Sequence, residues 1–102
     1  MARLVVVYKT PRDGAAFDKH YFGTHIAIAK KIPGLRKFEV SQGPVLAPAG
    51  SSDFHLVATL HFDDMAAIQR AFASAEGQAA AADVQTFTTE PPYMLVFDSR
   101  EV

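Results

Sequence analysis

Two histidines and a tyrosine lie in one predicted helix, in the stretch that runs from Phe17 to His25. Tyr21 and His25 are four residues apart, so their side chains are neighbours on a helix surface. An imidazole beside a phenol can move protons or hold a polar group of a ligand, because histidine titrates near neutral pH. A buried histidine that only hydrogen-bonds the helix to a sheet is the alternative. The spacing therefore makes His25 the first candidate for acid–base chemistry.

The other titratable side chains near this helix are weaker candidates. His20 precedes His25 by five residues, about 140° around an α-helix, which is not the i, i+4 spacing with which one helix face chelates a metal. We expect His20 at the mouth of a cleft or on the surface. Asp83 can orient or charge-pair a histidine if its segment folds over the first helix; otherwise it is a cap or turn residue.

The sequence gives little support for a metal site, a haem site or a catalytic nucleophile. His55 and His61 share one face of a predicted strand, but six residues separate them by about 20 Å, which is too far for one metal ion. We expect both to pack at the sheet surface or in a dimer interface, and axial ligation of haem is the alternative. The chain has no cysteine, no glycine-rich phosphate loop and no nucleophile elbow, so we predict neither a metal site nor a cofactor.

The composition argues against several classes of partner. Ten basic and eleven acidic residues give a net charge of −1, without the basic cluster that binds nucleic acid. The apolar run near residue 5 is too short for a signal-peptide core or a membrane span. We therefore expect a cytoplasmic protein with no nucleic-acid or membrane partner.

The pattern of apolar residues predicts the order β-α-β-β-α-β within a single domain over residues 1–102. That order is typical of a ferredoxin-like α+β fold, in which a four-stranded antiparallel sheet carries both helices on one face. The predicted strands are 4–8, 35–42, 54–62 and 93–97. The predicted helices are 15–32 and 65–74, with a further helical piece at 76–83 and a mobile loop at 43–53.

The first and last predicted strands are apolar on both faces, at residues 4–7 and 94–97. Two helices can cover only one face of the sheet, and an apolar face on the order of several hundred Å² is not normally left in water. Two such sheets packed face to face would cover it. We therefore predict a symmetric homodimer.

Short motifs along the chain match a known pattern. The most specific is the helix stretch Phe17-x-x-His20-Tyr21-x-x-Thr24-His25. The others are Ile32-Pro33-Gly34-Leu35, Phe62-Asp63 before the second helix, and Asp83-Val84-x-x-Phe87-Thr88 before Glu90-Pro91. Together these segments resemble the EthD-like family of the dimeric α+β barrel superfamily, and the resemblance covers nearly the whole chain.

The resemblance implies a dimer whose two sheets form a barrel-like core, with a cleft between the first helix and the sheet of each subunit. Relatives with this fold include small monooxygenases, lactone isomerases, polyketide cyclases and haem-degrading proteins, so the resemblance supports architecture better than chemistry. The related stress-responsive barrels carry a histidine cluster where this chain has Ser74-Ala75-Glu76-Gly77, which weakens a cyclase role.

The expected function is that of a small dimeric protein that binds or converts a hydrophobic or aromatic molecule by histidine-assisted proton transfer. If it is an enzyme, it is of the cofactor-free isomerase, cyclase or monooxygenase type. The alternatives are a non-catalytic accessory protein of an oxidative catabolic pathway, a haem-binding protein and a purely structural dimer. The predicted catalytic residues are His25, Tyr21 and Asp83, and the predicted ligand-binding residues are Phe17, His20, Ile28 and Phe87.

Overall fold

Strands and helices follow one another in the predicted order, with two additions. In the computed structural model, which describes residues 1–102, β1 is Ala2–Lys9, β2 is Lys37–Val40, β3 is Leu46–Ala47, β4 is Gly50–Ser51, β5 is Phe54–Phe62 and β6 is Tyr93–Asp98. Helix α1 consists of Gly14–His20, a π-helical turn Tyr21–His25 and Ile26–Ala29; α2 is Met65–Ala73 and α3 is Ala75–Phe87. The additions are the β3–β4 hairpin, in the segment predicted as a loop, and the length of α3.

The main sheet is antiparallel with the strand order β2–β5–β1–β6, so β2 is an edge strand, as its charged residues predict. Along β1, alternate residues from Leu4 to Tyr8 are buried beneath the helices, whereas Val5 and Val7 are half-buried. Every second residue in most of β5 joins the same core. The α+β prediction is confirmed. In the single chain the helices cover only one face of β1, and the residues on its other face are half-buried.

Side-chain caps fix where the helices begin. Asp13 accepts a hydrogen bond from the backbone N–H of Ala16 at 3.0 Å, and Asp64 accepts one from Ala67 at 2.8 Å. These bonds satisfy donors that the first helical turn leaves free. None of the helices combines the length and the apolar character that a membrane-spanning segment needs.

A π-helical turn changes the face that α1 presents to the sheet. The backbone N–H of Ile26 donates to the carbonyl of Tyr21, five residues earlier in the chain. In an α-helix the acceptor lies four residues earlier. A period of 3.6 residues predicts Thr24 and Ile28 on the buried face, but Thr24 is exposed and Ile28 is half-buried. The wider turn holds an extra residue, so buried positions recur every four residues. These positions are Phe17, Tyr21, His25 and Ala29.

A β-bulge reorients His55. The register between β1 and β5 shifts near the end of β1, and a bulge breaks the strict alternation of side chains along a strand. The His55 ring therefore packs edge-on against Phe17, with centroids 5.0 Å apart, and its Nε2 lies 2.7 Å from Asp18 Oδ1. The prediction that His55 and His61 share one face of the sheet is wrong for this reason.

The β1–β6 part of the sheet face opposite the helices is apolar and uncovered. Leu95 of β6 is 56% exposed, and Tyr93 and Phe97 beside it are exposed as well. Val5 and Val7 of β1 pair with this strand and continue the apolar surface. We call these five side chains the bare sheet face.

Gly77 lies in the first turn of α3, close to the end of α2. A Cβ on Gly77 would overlap the backbone carbonyl oxygen of Ala71, which cannot move aside as a flexible side chain can. We expect Gly77→Ala to lower the free energy of unfolding by about 1–3 kcal/mol, the usual cost of overpacking, as measured by urea denaturation. Gly23→Ala is the matched control, because Gly23 is exposed and has free space around it, and it should stabilise by about 0.5–1 kcal/mol. Similar effects of the two substitutions would contradict this account.

Candidate functional site

A cavity of about 680 Å³ lies between the helix-covered face of the sheet, α1 and α3. Its walls are mainly apolar, with side chains such as Leu60 and Met94. Three polar rings also border it, those of Tyr8, Tyr21 and His25. Apolar walls with a few convergent polar groups are typical of a site for a small molecule.

His25 and Asp83 form a buried pair at this cavity. His25 Nδ1 lies 2.9 Å from Asp83 Oδ2, and the two side chains are 6% and 12% exposed. His25 lines the cavity and Asp83 does not, from which we infer that the side of the imidazole away from Asp83, with Nε2, faces the cavity. Nε2 has no hydrogen-bond partner in the protein. The structure thus brings these two predicted residues together.

The protonation of this pair follows from its surroundings. Burial lowers the pKa of His25 below its ordinary value of 6.5, and the hydrogen bond and charge of Asp83 offset only part of that effect. Burial would raise the pKa of Asp83, but hydrogen bonds from His25 and His20 hold that pKa below its ordinary value. Asp83 is therefore an ionised acceptor near neutral pH, and a neutral His25 donates its Nδ1 proton to it. The lone pair of His25 is left on Nε2, at the cavity.

Tyr8 and Tyr21 bring two phenol side chains to the cavity that His25 lines. The Tyr21 ring centroid lies 5.2 Å from that of His25 and 5.6 Å from that of Tyr8. Burial raises the pKa of both hydroxyls, with smaller contributions from Asp83 at Tyr8 and from Tyr8 at Tyr21, so both stay protonated at neutral pH. Neither hydroxyl is hydrogen-bonded within the protein. Both can therefore donate to an oxygen of a molecule in the cavity.

His20 contacts the same carboxylate as His25. Its Nε2 lies 3.0 Å from both Oδ1 and Oδ2 of Asp83. The π turn explains this contact, because with i→i+5 hydrogen bonds residues five apart lie nearly above one another. The separation of about 140° expected for an α-helix is therefore wrong for His20 and His25.

The residues predicted to bind a ligand directly lie around the cavity rather than in its lining. Phe17 and Phe87 pack on each other with ring centroids 5.2 Å apart and form an aromatic cluster with Tyr8 and Tyr21. His20 and Ile28 lie outside the lining as well. The role of these residues in ligand binding stays a prediction.

Tyr8 is the cavity residue that the sequence interpretation missed. The apolar run at the start of the chain assigns it only to the first strand. Its signal is the alternation along β1, in which Leu4, Val6 and Tyr8 share one face. The Tyr8 hydroxyl stands at the end of this apolar row, which indicates a polar group at the edge of the core. Only the packing of α1 shows that this edge borders a cavity.

We expect the His25 imidazole to titrate below 6.5 in NMR spectra of the ring protons, assigned with a His25→Asn variant. Asp83→Asn should lower the His25 pKa further, because it removes a hydrogen bond and a charge that favour the imidazolium ion. Since the folded pKa lies below the unfolded one, the unfolded chain binds more protons. Protonation of His25 therefore lowers the free energy of unfolding as the pH falls from about 6.5 to the pKa of His25 in the folded protein. A His25 pKa above 6.5 in the wild type would contradict this account.

A family model for the EthD domain matches residues 9–91, a segment that includes His20, His25 and Asp83. The chain belongs to the EthD family. The EthD chain is 39% identical over 102 residues to an uncharacterised 11.0 kDa protein in the thcB–thcC intergenic region of Rhodococcus erythropolis, an alignment that covers 100% of this chain and 98% of that protein. The family resemblance found in the motifs is thereby confirmed.

Solved structures place the EthD chain in the predicted fold class. An ethyl tert-butyl ether D (EthD) family protein from Bacillus halodurans C-125 matches with a TM-score of 0.91 at 34% identity, covering 98% of this chain and 99% of that one. SnoaB, a cofactor-independent oxygenase from Streptomyces nogalater, matches with a TM-score of 0.69 at 18% identity, covering 99% and 94%. A dimeric ferredoxin-like protein of unknown function from Jannaschia sp. CCS1 matches with a TM-score of 0.70 at 17% identity, covering 97% and 100%. At these lower identities the likeness is one of fold.

Proposed function

We propose that this EthD protein binds an uncharged hydrophobic molecule in the cavity and removes a proton from it with His25. The observation that carries the proposal is the orientation of one imidazole. Nδ1 is held 2.9 Å from Asp83, while Nε2 borders a largely apolar cavity. A carboxylate that fixes the tautomer of a histidine and stabilises its imidazolium form is a recurrent arrangement for a general base. The lowered pKa of His25 keeps the base unprotonated at neutral pH.

The proton passes from a C–H or O–H group of the bound molecule to His25 Nε2, and the electron pair stays on that molecule as an enolate or phenolate. The hydroxyls of Tyr8 and Tyr21 donate to the oxygen that gains the negative charge, in a cavity with mainly apolar walls. Return of the proton to another carbon completes an isomerisation. Reaction of the carbanion with dioxygen gives an oxygenation, for which the fold likeness to the oxygenase SnoaB is supporting context.

The charges around the cavity support an uncharged substrate. No lysine or arginine lines the cavity, and Glu90 is the one carboxylate that does. A bound carboxylate or phosphate would lose its hydration there without gaining a cation, which is costly. Neutral phenols, quinols and ketones with an acidic C–H group fit this lining, and their carboxylated counterparts do not.

The bare sheet face supports a symmetric homodimer. Exposed apolar side chains such as Leu95 and Phe97 would be covered by the same face of a second copy. On the same face, Arg3 Nη1 is buried without an acceptor in its own chain, and an interface can supply one. The Jannaschia protein with this fold is described as dimeric. The cavity lies on the opposite face of the sheet, so each subunit would keep its own.

Deuterium exchange tests the proposed reaction. The purified protein is incubated in D₂O with neutral phenols, quinols and β-diketones and with their carboxylated counterparts, and deuterium uptake is followed by NMR while an electrode records oxygen consumption. We expect catalysed exchange for at least one neutral compound and none for its carboxylated counterpart. Deuterium uptake and oxygen consumption that are both no faster than in protein-free buffer for every compound would contradict proton abstraction.

A non-catalytic ligand-binding role is the second candidate. The apolar cavity favours binding of an aromatic molecule whether or not a reaction follows. Saturable binding of such a molecule, without exchange or oxygen uptake, would assign this role. If a His25→Ala variant then binds the same molecule equally well, the binding contacts lie on the apolar walls of the cavity rather than on the imidazole.

A further inference from the structure

His20 holds the carboxylate that orients the proposed base. Its Nε2 lies 3.0 Å from each oxygen of Asp83, whereas His25 Nδ1 donates to Oδ2. Thr86 Oγ1 approaches Oδ1 only to 3.2 Å and bonds more closely to the Asp83 carbonyl oxygen, at 2.6 Å. The Oδ1 side of the carboxylate is therefore held mainly by His20.

The orientation of this carboxylate decides the tautomer of His25. Asp83 reaches from α3 to α1, and the terminal bond of an aspartate rotates over a broad range when no partner holds it. Without His20 the Oδ1 side keeps only the longer Thr86 contact at 3.2 Å, so the carboxylate can turn and the hydrogen bond from Nδ1 of His25 weakens. The tautomer with its proton on Nε2 then becomes accessible, and it presents no lone pair to the cavity.

We propose that His20 is a positioning residue, which acts through Asp83 to keep His25 in the tautomer with the proton on Nδ1. Its side chain is 32% exposed and does not line the cavity, so it acts without touching the bound molecule. The catalytic consequence rests on the proposed function of His25 as a base. The tautomer is a property of the protein alone and is measured without a substrate.

A packing role for His20 makes a different prediction. The His20 ring stacks on Phe87, with centroids 5.0 Å and planes 29° apart. His20→Gln can place an amide N–H near the position of Nε2 but loses the ring. His20→Phe keeps a ring to stack on Phe87 but has no donor. Positioning through Asp83 needs the donor, whereas packing needs the ring.

Long-range ¹H–¹⁵N NMR of protein with ¹⁵N-labelled histidine shows which nitrogen of His25 carries the proton. We expect the Nδ1–H tautomer in the wild type and in His20→Gln, and a mixture of both tautomers in His20→Phe. The exchange rate on the selected neutral compound should fall at least about tenfold in His20→Phe with KM unchanged, and His20→Gln should restore it.

The wild-type tautomer in His20→Phe, or its loss in His20→Gln, would overturn the proposal. Both outcomes are read in the absence of any substrate. If the tautomers behave as expected but the wild type exchanges no compound, the positioning role stands and the proposed reaction fails.

Discussion

Replacing His25 with asparagine is expected to slow proton abstraction by about 10²–10⁴-fold, the usual contribution of a positioned base. The asparagine amide can take the place of Nδ1 and keep a hydrogen bond to Asp83, but it has no atom at the position of Nε2. Ligand affinity should change only a few-fold, because the cavity walls stay. The measurements are the rate of deuterium uptake and the dissociation constant for the same neutral compound.

His55→Gln is the matched control for this variant. His55 also pairs with an aspartate, since its Nε2 lies 2.7 Å from Asp18 Oδ1, but it does not line the cavity of about 680 Å³. Glutamine keeps a donor near that position, and the exchange rate should equal that of the wild type. His25→Ala, which removes one of the two imidazole donors to Asp83, should cost about 1–3 kcal/mol of stability. Undiminished exchange in His25→Asn would remove His25 from the proposed mechanism.

Leu95→Asp is expected to convert a dimer into a monomer. Leu95 lies opposite Val5 on the bare sheet face and is 56% exposed in the single chain. In a dimer through this face, the new carboxylate would be buried without a partner, at a cost of about 3 kcal/mol or more per subunit. Symmetry places two such charges in the interface, so the dissociation constant should rise by about 10⁴-fold. Sedimentation velocity over a range of concentrations measures the change.

Leu46→Asp is the control for charge and exposure. Leu46 is 66% exposed but belongs to the β3–β4 hairpin rather than to the bare sheet face, so its variant should sediment as the wild type does. A monomeric wild-type protein would refute the homodimer. A dimeric Leu95→Asp variant would move the interface to another surface.

The fold could be predicted from the sequence wherever the chain follows an ideal period. Alternation in β5 and apolar spacing in α2 are local patterns, and both elements were found within one residue of their predicted bounds. The prediction failed where one residue departs from the period, at the π turn Tyr21–His25 and at the bulge beside His55. Whether a π turn or a bulge forms at a given residue depends on the tertiary packing around it. A local pattern of apolar residues does not reveal which turn is widened.

The cap of α2 is another case in which the sequence offers two candidates and the tertiary structure selects one. Two adjacent aspartates, Asp63 and Asp64, precede α2. Asp64 is the cap, and Asp63 instead accepts hydrogen bonds from Arg36 at 3.0 and 2.8 Å. Both residues have the right chemistry for a cap. The position of Arg36, one residue before β2, decided between them.

For the candidate site, the sequence by itself determined the chemistry that is available: His20, Tyr21 and His25 on one helix, and a single aspartate, Asp83, in the third. Only the tertiary structure decided that both histidines share that carboxylate, from 63 and 58 residues away, and that Tyr8 lines the same cavity as Tyr21 and His25. The physical reason is that hydrogen bonds require atoms to meet within about 3 Å. Between distant segments that distance is set by how α3 packs on α1 and by the extra residue of the π turn, neither of which a periodic pattern encodes.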